Sequence, residues 1–220
     1  MGFRVGIGLL LAAAALGQAS SPARVTYTRS FKGSQPAFLQ LVIREDGAAT
    51  YEAKEKDEDP LISIAFTASP GVLAEVFAEV RSLDGFAGPK LQSGEKIAYT
   101  GDKMLAFDDA AQHNSQEFTY TKLPAARALV ELFEKISTAG MDAIRLQRAL
   151  RYQPLNVLDA MQQIQSDWEM HQLAEPQILQ SVLAQTVASP TAMDAARHRA
   201  EKILEAIAKS KPASERRPAR

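Results

Sequence analysis

The stretch Ala37 to Lys54, AFLQLVIREDGAATYEAK, decides the class of fold. Leu39, Leu41 and Ile43 recur at every second position, the period of a strand with one buried face. Asp46-Gly47 then supplies residues that tolerate the positive φ of a tight hairpin, and Ala48 to Lys54 is the return strand. Working outward, Arg24 to Phe31 alternates Val25 and Tyr27 with threonines, and Leu61 to Thr67 alternates Ile62, Ile64 and Phe66 with small residues. Three further strands are expected at Lys96 to Thr100, Met104 to Phe107 and Glu117 to Thr121, with a turn at Gly101-Asp102 between the first two.

Two helices interrupt or close this pattern. Ser69-Pro70 places a capping hydroxyl before a proline that needs no N–H, and Val72, Leu73, Val76, Phe77, Val80 and Leu83 make an apolar stripe that Gly85 ends. Pro124 opens a second helix, with Leu129, Leu132, Phe133 and Ile136 on one face and Gly140 as the expected stop. After Gly140 the texture becomes rich in Ala, Leu, Gln and Arg, which are strong helix formers. Four helices are expected there: Met141 to Tyr152, Pro154 to His171, Glu175 to Ala188 and Pro190 to Lys209. The fold class read from these patterns is α+β: an antiparallel sheet with two packed helices, followed by an all-α module of about four antiparallel helices.

Residues 1–19 read as a secretory signal. Arg4 precedes an apolar block from Val5 to Leu16, too short for about 30 Å of hydrocarbon, and Gly17 and Ala19 fit a cleavage site. The organisation expected is therefore signal 1–19, α+β domain 20–139, helical module 140–209 and a disordered basic tail 210–220, with no membrane anchor after cleavage and a periplasmic or secreted destination. The chain has no cysteine, which removes disulfides, thiol nucleophiles and thiolate metal sites. With 25 Lys and Arg against 26 Asp and Glu, the charge balance argues against a nucleic-acid binder.

The segments LVIREDGAATYEA, ISIAFTASPGVLAEVFAEVRSLDGF and LPAARALVELFEKI, in that order, resemble small exported bacterial strand-meander-plus-helix domains of unknown function over residues 24–138. The resemblance implies a sheet with helices on one face and carries no catalytic residues across.

No spacing typical of zinc ligands, of a nucleophile elbow or of a phosphate-cradling loop occurs. Asp108, Asp109 and His113 form the best local cluster for a hard or borderline cation or for metal-assisted hydrolysis, against the plainer reading of a polar turn. Glu52, Glu55, Asp57, Glu58 and Asp59 are acidic enough for calcium but lack the glycine and the spacing, so a solvated loop is expected. Arg145, Arg148 and Arg151, at steps of three, could together with the basic tail meet an anionic surface or an acidic protein. Trp168 and His171 end an apolar stripe and could line a small-ligand pocket or simply pack. The reading that follows is an exported protein without cofactor that binds another envelope or secreted macromolecule, with a carrier of an apolar ligand and a metal-assisted hydrolase as alternatives.

Overall fold

The computed structural model describes residues 21–210, so the expected signal segment and the basic tail from Lys211 onward lie outside the described residues. The fold is α+β. Six strands form one antiparallel sheet: β1 (Arg24–Ser30), β2 (Phe38–Arg44), β3 (Ala48–Lys54), β4 (Ile62–Thr67), β5 (Asp102–Asp108) and β6 (His113–Phe118). Their spatial order is β4-β3-β2-β1-β5-β6, which leaves β4 and β6 at the two edges. The helices are α1 (Pro70–Ser82), α2 (Pro124–Tyr152), α3 (Val157–Glu169), α4 (Gln180–Ala188) and α5 (Asp194–Ser210). Among the described residues no helix is long and apolar enough to cross a membrane.

The alternation in the sequence is the alternation of the sheet. Val25, Tyr27, Leu39, Leu41, Ile43, Tyr51 and Leu105 are fully buried on one face, and their neighbours Thr26, Thr28, Gln40, Val42 and Thr50 lie on the other. The β2–β3 hairpin differs in one detail from the expectation. Its loop has three residues, Glu45 to Gly47, and only Gly47 takes positive φ, at 87°, while the Asp46 side chain accepts from the Ala48 N–H at 3.1 Å. A turn followed by one left-handed glycine closes antiparallel strands without forcing Asp46 out of its ordinary range.

Three expectations are corrected. Lys96 to Thr100 is not a strand: Ile97 and Tyr99 are 44% and 54% exposed, so their alternation marks no buried face. The strand expected over Glu117 to Thr121 lies earlier, because Asp109 closes the β5–β6 turn tightly: its carboxylate accepts from the N–H groups of Ala111 and Gln112, both at 2.7 Å. Asp108 therefore already faces His113 across the ladder.

The third correction concerns Gly140, which does not end its helix. α2 runs unbroken from Pro124 to Tyr152, and the expected boundary between residues 139 and 140 falls inside it. The glycine is there for proximity: a Cβ built on Gly140 would stand 2.4 Å from the ring of Tyr51. The missing side chain lets the helix axis approach the sheet, and the Tyr51 hydroxyl meets Ser137 one turn back at 3.1 Å. Mid-helix glycine costs about 1 kcal/mol relative to alanine, which packing of a large buried ring readily offsets.

Beyond α2 the chain stays helical, as expected, with shifted starts. Pro154–Asn156 and Pro176–Leu179 are single 3-10 turns ahead of α3 and α4, and α5 begins at Asp194 rather than beside Pro190. α3 packs on α2 and α5, and α4 packs chiefly on α5. The buried apolar residues of strands and helices form one contiguous cluster, so Met141, Ile144, Met161, Leu183 and Ile203 share an interior with Tyr27, Leu41 and Phe133.

Candidate functional site: the open edge of strand β4

The site begins with the hydrogen-bonding phase of β4. In an antiparallel pair every second residue exchanges both its backbone bonds with the neighbouring strand, and the residues between point theirs away. The Ala68 N–H donates to the Gly47 carbonyl at 2.9 Å, and the register continues Ala49 with Phe66, Tyr51 with Ile64 and Ala53 with Ile62. Ser63, Ala65 and Thr67 therefore turn their N–H and C=O groups outward. The Thr67 carbonyl accepts from the Gln177 side chain at 3.1 Å, which stands the Pro176–Leu179 turn beside this end of the edge. Ser63 and Ala65 have no such partner among the described residues.

Under this edge runs an apolar groove. Toward the start of β4 it widens into a cavity of about 520 Å³, lined by Ile62, Ser63 and Ile64 from the strand, Ile144 and Arg151 from α2, and Val182 from α4. Toward the end of β4 a second cavity of about 770 Å³ follows, walled by Phe66, Val72, Leu173 and Ile207; Ile64, Ile178 and Ser181 line both. Ile62, Ile64 and Phe66 are thus only half-buried, unlike their counterparts on β2. An edge strand without lysine, proline or bulge, beside an apolar trough, is unguarded against pairing with another chain.

The two ends of the groove differ in charge. Arg148 and Arg151 line the first cavity, which no carboxylate lines. Arg148 is ion-paired with Glu55, whereas Arg151 is exposed, pairs with no carboxylate among the described residues and lies 5.4 Å from the centre of the Tyr152 ring. At the other end stands Glu175, only 3% exposed and with φ of 53°. It accepts from the Ser69 hydroxyl at 2.6 Å and from the Ser69 N–H at 3.1 Å, and from Gln177, so it closes the N-terminus of α1 from a distant part of the chain. Burial pushes its carboxyl up, and the Ser69 bonds partly counter this.

The residues singled out by sequence separate. Asp108 pairs with Arg24 at 3.1 Å and with His113 at 3.0 Å, and these bonds, that to His113 foremost, hold its carboxyl below the usual range. Asp109 serves the turn instead, and among the described residues no group of three or more His, Asp or Glu side chains could hold a metal ion. Of the acidic loop, Asp59 accepts from the Lys56 N–H and Glu55 holds Arg148. The arginine triplet does not share one face: Arg145 stands near Asp142 and Tyr51, while Arg148 and Arg151 reach the groove. Trp168 packs on the core, whereas His171 is exposed with φ of 55°.

Several polar groups on inner faces escaped the sequence reading, among them half-buried Arg29 and buried Lys103 and Asp142. Arg29 and Lys103 continue the inward alternation of β1 and β5. Arg29 pairs with Glu134 at 2.9 Å, and Glu134 also accepts from the Tyr27 hydroxyl at 2.7 Å. Lys103, 9% exposed, donates to the Thr119 and Thr100 carbonyls, both at 3.1 Å, and to the Thr100 hydroxyl at 2.9 Å, pinning the loop before β5. Their positions in the alternation were the available signal. Asp142, 2% exposed on α2, lies beside Asp167 of α3; burial first, and Asp167 second, push its carboxyl up to about 7. Nothing in the helical periodicity marks that pairing. Comparison with family models and with curated proteins finds no match.

Proposed function

We propose that this chain is an exported protein of the cell envelope that works by binding another polypeptide, and that the groove along β4 is its binding surface. The observation that carries this reading is the combination of outward, unpartnered backbone groups at Ser63 and Ala65 with an apolar trough directly beneath them. Unpaired N–H and C=O groups on a strand edge are satisfied best by another extended backbone, and apolar side chains beneath reward every second residue of such a segment.

A photo-crosslinking residue placed at Ser181, in the groove wall, is expected to capture a polypeptide in the native envelope. The same residue at Lys90, in the exposed loop near the opposite edge strand β6, serves as control. Identical adduct patterns from the two positions would refute the assignment of the groove.

A further inference from the structure

We infer that the occupant of this groove is the free C-terminal segment of a partner, bound as an extended strand antiparallel to β4, with its terminal carboxylate beside Arg151. This rests on the binding reading above and adds the class and orientation of the ligand. The free stretch of edge is short: Ser63 and Ala65 offer complete pairs of backbone groups, and the Gln177 bond to the Thr67 carbonyl stops the ladder beyond them. That length suits a short peptide end.

Polarity follows from charge. Arg151, beside an Arg148 already ion-paired with Glu55, lies at the end where β4 starts, and the buried carboxyl of Glu175 lies at the other. A peptide running antiparallel to β4 carries its C-terminus to the arginine end and keeps it away from Glu175. Antiparallel pairing is also the slightly more stable arrangement. Side chains at alternate positions then enter the trough over Ile62, Ile64 and Phe66, so the recognised sequence is apolar at every second residue. Arg151 has no carboxylate partner to give up among the described residues, and its guanidinium can take both oxygens of a terminal carboxylate.

The test uses a fluorescent hexapeptide of alternating valine and threonine ending in valine, as free acid and as amide, titrated against the intact protein by polarisation. The free acid is expected to bind saturably and the amide roughly tenfold more weakly. Arg151→Gln should erase that difference. Ser63→Pro, which removes an outward N–H and no bond to β3, should abolish binding of both forms while the protein stays folded by circular dichroism. Equal binding of acid and amide overturns the carboxylate assignment and leaves the groove reading standing on its crosslinks. Binding unaffected by Ser63→Pro overturns strand addition. Absence of saturable binding, or a concentration-dependent dimer that Ser63→Pro abolishes, overturns the peptide-end assignment altogether.

Discussion

Substituting Gly140 by alanine tests the account of α2 most directly. In a solvated helix this change stabilises by about 1 kcal/mol, because glycine loses more backbone freedom on folding. Here the new methyl would sit 2.4 Å from two carbons of the Tyr51 ring, whereas carbon atoms settle at about 3.5 to 4.0 Å. The ring has nowhere to go. Tyr51 is completely buried in the middle of the sheet and its hydroxyl meets Ser137 of the same helix. Separation of sheet and helix by an ångström or so is overpacking of the costlier kind, about 3 kcal/mol, so the net loss is about 2 kcal/mol. For a domain of this size that lowers Tm by about 4 to 8 °C, read by thermal and urea unfolding followed by circular dichroism. In a Tyr51→Leu background the ring is gone, and Gly140→Ala should become neutral or stabilising, so the two changes couple strongly. A single Gly140→Ala variant as stable as the parent would refute the close-approach argument.

Other outcomes follow from the buried polar groups. Asp142 has a folded-state pKa near 7, raised above that of an unfolded carboxyl, so the folded state holds the proton longer. Its contribution to stability is then fully present below about pH 4, falls as pH rises toward 7 and is lost above it. Thermal unfolding of Asp142→Asn between pH 5 and 8 should show a flatter slope than the parent; parallel slopes would contradict the assignment. Glu175, raised in the same direction, remains in both proteins and leaves a residual slope of the same sign. Ser69→Ala removes the cap of α1 and a donor to Glu175, and should cost about 1 to 2 kcal/mol in urea unfolding. Ser63→Pro should change stability by no more than about 0.5 kcal/mol, since no β3 bond is lost; a larger drop would mean that Ser63 does not face outward.

The strands and the amphipathic helix α1 were legible because local rules decide them. Period-two alternation specified which faces of β1 to β4 would be buried, and Ser69-Pro70 marked a helix start whose cap forms as expected. Glycine was where local reading failed. At Gly47 the residue serves a turn, and at Gly140 it serves packing, and nothing within a few residues of either distinguishes the two uses. Lys96 to Thr100 shows the converse, since alternation without a neighbouring strand creates no buried face.

The candidate groove was only half visible. The sequence by itself determined that β4 is apolar at Ile62, Ile64 and Phe66 and that Arg148 and Arg151 lie three residues apart on a helix. It did not determine that β4 is an edge, that the Pro176–Leu179 turn stands beside it, or that Glu175 and Ser69 meet across 106 positions of chain. Those facts depend on strand order and on how the helices pack, which arise from contacts between residues far apart in sequence. Backbone groups at a sheet edge are chemically identical to those at its centre, and only the tertiary arrangement decides which are left facing outward.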